Sequence, residues 1–79
     1  MHNHIRVYMK KNSIGYEIPA TYREDVMDLY NSYMDSGDPK DKEVLMKLVY
    51  KVLPNISKKE DWHVTAVSDS MVLVWKQDG

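Results

Sequence analysis

The run Ser36-Gly37-Asp38-Pro39 constrains this chain more than any other feature, because it stops one helix and starts the next with almost nothing between them. Upstream, Tyr22, Val26, Leu29, Tyr30 and Tyr33 recur at three- and four-residue spacings; downstream, Val44, Leu45, Leu48, Val49, Val52 and Leu53 do the same. Gly37 supplies the left-handed residue that closes a helix. Asp38 can cap free amides while Pro39 takes the first helical position, where no donor is needed. So short a break predicts two packed, roughly antiparallel helices. Thr21 followed by Glu24 reads as a capping box, which predicts that the first helix begins there. Pro54 and Asn55 end the second.

Outside the helices the apolar period drops from 3.6 to two. Residues His4 to Lys10 set Ile5, Val7 and Met9 against His4, Arg6, Tyr8 and Lys10, the signature of a half-buried strand. Asn12, Ser13 and Gly15 supply turn chemistry, and Tyr16 to Ile18 predicts a short second strand that Pro19 stops. After a charged link from Ser57 to Asp61, the segments Trp62–Val67 and Met71–Lys76 predict a hairpin around Ser68, Asp69 and Ser70. The last segment is apolar on both faces, so it belongs in the middle of the sheet. The expectation is an α+β fold in one domain, 1–79. An antiparallel sheet of three to four strands carries both helices on one face, in the order β-(β)-α-α-β-β.

At 79 residues there is room for one modest core, and no cysteine is available to staple it. The lack of cysteine also removes disulfides, thiolate metal sites and thiol nucleophiles, and it fits a reducing compartment. The first eleven residues hold no basic segment followed by a long apolar run, and no stretch approaches the ~20 apolar residues of a membrane span. The expected location is the cytoplasm, away from membranes.

Net charge is only −1, yet it is segregated. Between Glu17 and Glu43 eight acidic residues face three basic ones, a balance of −5; the remainder has four acids and eight bases, +4. On the first helix, Glu24, Asp25, Asp28, Ser32 and Asp35 gather opposite the apolar stripe.

No constellation carries catalytic chemistry. His2 and His4 with His63 allow a three-imidazole metal site to be drawn, but no carboxylate completes it at a clear spacing, and isolated histidines are ordinary surface residues. No nucleophile elbow or phosphate-cradling glycine motif is present. The pairs Glu24 with Asp28 and Asp25 with Asp28 sit on an outward helix face, where the ordinary role of carboxylates is solubility. No residue is therefore expected to act in catalysis or to hold a cofactor or metal.

What stands out is a surplus of adaptable apolar side chains beside the acidic ridge: Met27, Tyr30 and Met34 flank the first helix, Met46 and Tyr50 the second. The function expected is a non-enzymatic protein-binding module, an adaptor or inhibitor. Tyr30, Met34 and Tyr50 would serve as anchors beside Met27, with Glu24, Asp28 and Asp35 steering a basic partner protein. Core packing competes for the same residues. The alternative is weak nucleic-acid binding by the polar sheet face, with Arg6, Tyr8, Lys10 and His63 helped by Lys11, Lys58 and Lys59. The acidic layer and near-zero net charge weigh against it. A homodimer through the helical surface is compatible with either reading.

Overall fold

A computed structural model describes residues 7–10 and 12–77, with the backbone alone at Lys10. Six elements follow in order: β1 (Val7–Lys10), β2 (Ser13–Glu17), α1 (Ala20–Ser36), α2 (Pro39–Val52), β3 (His63–Ser68) and β4 (Met71–Gln77). The strands form one antiparallel sheet in the order β1-β2-β4-β3, which places the doubly apolar β4 in an interior position as its sequence demands. The part of the expected first strand before Val7, with His2, His4 and Arg6, lies outside the described residues, as does Lys11.

The stop-and-restart signal works as its chemistry requires. Gly37 adopts φ 65° and its amide donates to the Tyr33 carbonyl at 2.7 Å. Asp38 accepts at 2.9 Å from the Lys40 amide with Pro39 in the first turn. A Cβ added at Gly37 would meet nothing within 4 Å, so only backbone conformation opposes a side chain there. Gly37→Ala is therefore expected to lower stability by about 1–2 kcal/mol, the penalty of a left-handed alanine, and Gly37→Asn by clearly less. Urea unfolding of the three proteins checks the order.

The start of α1 corrects the sequence reading. Helix α1 begins at Ala20, with Pro19 (φ −56°, ψ 144°) in the cap position and no side-chain cap. The Tyr22 amide instead donates to the Pro19 carbonyl at 3.0 Å. Proline, with φ already fixed near the helical value, takes the cap position two residues before the Thr21 of the capping box. Thr21 falls inside the first turn, where its hydroxyl is out of position.

Strand β2 is also longer than expected. Asn12, at φ 67°, carries the turn of the first hairpin, while Ser13 and Gly15 are ladder residues opposite Lys10 and Tyr8. Ile18 lies just beyond the strand, fully buried, its amide donating to the Val72 carbonyl at 2.9 Å.

The core forms between the helices and one sheet face. Val26 from α1 and Leu45, Val49 and Val52 from α2 pack with Ile18, Leu53, Ile56, Trp62, Val72 and Val74. Every buried residue in this set is apolar. Trp62 precedes β3, and its indole N–H donates to the Ser57 carbonyl at 2.7 Å, tying the charged link to the core. Both predicted helical stripes end in exposed members, Tyr22 and Val44. At the far edge, Val7 and Met9 share the helix-facing side with the half-buried Tyr16 and Ile14 yet are 50% and 76% exposed. The expectation that this side of the first strand is buried thus fails at its described residues. The outermost strand overhangs the helical layer, and alternation alone cannot report where the covering layer stops.

Candidate functional site

Two surfaces come into question, one on each layer. On the helical layer, Glu24, Asp25, Asp28, Ser32 and Asp35 are all exposed, so the acidic ridge exists on α1 as its spacing predicts. Among the described residues, none of its carboxylates joins an ion pair; the pair present, Lys76 with Glu60 at 3.6 Å, lies elsewhere. The apolar flank is smaller than its composition suggests. Met27, Tyr30, Met46 and Tyr50 are partly buried and pack against the core, and Lys58 reaches over the Tyr50 ring at 5.8 Å from its centroid. Met34 stays 61% exposed. It borders a narrow groove of about 110 Å³ between α1, α2 and the start of β3, with Tyr33, Met46 and Trp62 among its walls. Of the residues expected to contact a partner, the structure thus leaves Glu24, Asp28, Met34 and Asp35 well exposed, and engages Met27, Tyr30 and Tyr50 in packing.

The second surface is the sheet face turned away from the helices. Register aligns Tyr8, Gly15, Trp75 and His63 as one row across all four strands. Leu73 and Thr65 flank that row on one side, and Ser13, Gln77 and the backbone of Lys10 on the other. Gly15 is the hinge of this arrangement. A Cβ there would come within 3.3 Å of the Trp75 Cβ, so the absent side chain lets the indole settle against the strand beside it. The result is a shallow cleft of about 340 Å³ lined by Tyr8, Gly15, Thr65, Val67, Leu73 and Trp75.

Ser13 also lines the cleft, and two of its polar groups are paired within the face. The Tyr8 hydroxyl donates to Glu17 Oε1 at 2.8 Å, and the Trp75 indole N–H donates to Thr65 Oγ1 at 2.9 Å. The His63 ring leans on Trp75 with centroids 4.8 Å apart and planes 38° from parallel. What remains for a ligand is mainly apolar: the Tyr8 and Trp75 rings, Leu73, and Val67, which is 55% exposed.

This corrects the picture of a basic, polar sheet face. Tyr8 and His63 do share the surface, and Lys10 has its backbone there, but Arg6 lies outside the described residues. The segments that follow α2 bring Val67, Leu73 and Trp75 onto the same side. The signal was present in the sequence as a strand apolar on both faces. One of those faces had to point away from a helical layer that covers only one side.

Among the described residues no three histidine, aspartate or glutamate side chains converge as metal ligands, and His2 and His4 of the metal site drawn from sequence lie outside them. Among the described residues no helix is long and apolar enough to cross a membrane. In fold the molecule is a two-layer α+β domain with two helices over one face of a four-stranded antiparallel sheet. Compared with protein-family models, curated proteins and solved structures, the chain matches none.

Proposed function

We propose that this chain is a non-enzymatic protein-binding module, an adaptor or inhibitor, that receives another polypeptide on the open face of its sheet. The observation that carries this reading is the uncovered apolar cleft around Gly15, where Trp75, Leu73, Val67 and Tyr8 stand without a second layer over them. A contiguous apolar patch is the ordinary mark of a contact surface, and a tryptophan at its centre is the residue type that most often dominates binding. The acidic ridge, with Glu24, Asp28 and Asp35 and with Met34 as its apolar neighbour, lies on the opposite layer and forms a second surface suited to a basic partner. Tyr30, Met27 and Tyr50 act chiefly by holding the helices in place. The absence of cysteine favours the cytoplasm as the compartment.

Nucleic-acid binding by the same face is the weaker reading. The Tyr8 hydroxyl and the Trp75 N–H are already engaged, and the Glu17 carboxylate on that face repels phosphate.

Affinity capture from the native cell with three baits tests the proposal: the wild type, Leu73→Lys and Met34→Glu. At least one captured protein, an untagged copy of the chain included, is expected to be lost with Leu73→Lys and kept with Met34→Glu. The reverse pattern moves the contact to the helical layer. Equal recovery with all three overturns the assignment, and nucleic acid recovered in place of protein, lost in high salt, turns it to the weaker reading.

A further inference from the structure

The occupant of the open face can be named from the molecule itself. We infer that a second copy of this chain packs on it, sheet against sheet, an inference that rests on the open face being the binding surface.

Four observations converge on a self-pairing. The first is shape. A two-fold contact sets one patch against itself, so the patch must hold both projections and a recess. Val67, 55% exposed, projects while the cleft over Gly15 recedes, both on one face.

The second is desolvation. The Tyr8 hydroxyl and the Trp75 indole N–H find their partners within the face, so drying it strands neither group.

The third is electrostatic. Pairing through the helical layers would bring two acidic ridges together, Glu24, Asp25, Asp28 and Asp35 against their own copies, and like charges in juxtaposition oppose contact. Pairing through the sheets puts those ridges on opposite outer surfaces, as far apart as the assembly allows.

The fourth is area. Four strands at ~4.8 Å spacing and ~3.3 Å per residue make a platform on the order of 20 × 20 Å. Two such faces are about 400 Å² each in plan, so with side-chain relief the pair buries on the order of 1,000 Å², about the least that a specific contact needs. The pair would be a four-layer sandwich, helices outside and sheets within, at the ~10 Å sheet separation usual for such packing. Its outer surfaces would display the acidic ridge twice, so that a basic partner with two sites meets a bivalent surface.

Sedimentation equilibrium of the whole chain, from about 1 µM to about 500 µM, measures this directly. The wild type is expected to pass from 9.3 kDa to twice that mass within the range. Val67→Lys and Leu73→Lys should each weaken the association by at least about tenfold, and Met34→Glu should leave it unchanged. Circular dichroism of each variant confirms that the lysines act on association and not on folding, and Val67, already 55% exposed, is the substitution least able to disturb the fold. A wild type that stays at 9.3 kDa throughout overturns the inference, as does a dimer that Met34→Glu breaks and the two lysines do not. A monomer whose capture of another protein still depends on Leu73 overturns self-pairing alone; capture indifferent to Leu73 removes the surface as well.

Discussion

Trp62→Ala is expected to unfold this protein at or near physiological temperature, the largest effect of any single truncation. Trp62 is 4% exposed, packs edge-on to Tyr16 with ring centroids 5.7 Å apart, and donates its indole N–H to the Ser57 carbonyl. Lys76 approaches the ring at 5.9 Å. Removing the ring forfeits its burial, leaves a cavity beneath the link from α2 to β3, and deprives a backbone carbonyl of its partner. Substitutions of this kind cost about 3–5 kcal/mol. A domain of this length holds only roughly 4–12 kcal/mol in total. Trp62→Phe keeps most of the packing and loses the hydrogen bond, so it should fall by roughly 1–3 kcal/mol and remain folded. Thermal melts by circular dichroism separate the two; a Trp62→Ala protein melting within a few degrees of the wild type would show that this ring does not organise the core.

The second large effect comes from adjacent residues of opposite fate. Leu45→Ala should destabilise by about 2–5 kcal/mol, because Leu45 is 2% exposed among Val26, Val49 and the sheet, where a cavity has little room to collapse. Val44→Ala, one residue earlier on the same helix, should stay within about 0.5 kcal/mol, since Val44 is half exposed. Urea unfolding at constant slope gives both values. Comparable losses at the two positions would mean that α2 sits rotated from the orientation described.

Val44 also shows where sequence reasoning reaches its limit. Helical periodicity places Val44 and Leu45 in one stripe, and a stripe wider than the contact it serves must leave one edge in water. The helix pair, the hairpin of β3 and β4 and the interior place of β4 were legible for a simple reason: each depends on neighbours in the chain, namely a glycine stop, an aspartate–proline start and a strand apolar on both sides. The start of α1 was misplaced because two local signals compete there, and Pro19 outweighs Thr21. Gly15 was misread as a turn residue because its use is tertiary: it makes space for Trp75, which lies far away in sequence and directly opposite in the sheet. The same holds for the cleft. Tyr8, Val67, Leu73 and Trp75 share a surface only once β4 pairs with β2, and although the apolar faces of β4 announce an interior strand, no local pattern names β2 as its neighbour or sets that register. The acidic ridge, a property of one helix, was fully visible; the commitment of Tyr30 and Tyr50 to packing depends on what lies beneath them.

The pairing of β4 with β2 also governs the order in which the molecule can form. The hairpin of β1 and β2 and the pair α1 and α2 involve near neighbours, but β2 finds its other partner by pairing Ser13 with Gln77 and Glu17 with Leu73. Loop closure over most of the chain must precede that seam, so contacts with β4 set the folding rate while the helix pair assembles early. On a ribosome the growing chain would hold its helices and first hairpin with the sheet still open, and the tunnel must release Met71–Gln77 before the two halves join. Until Met71–Gln77 docks, β2 presents an unpaired edge, the kind of template on which chains aggregate.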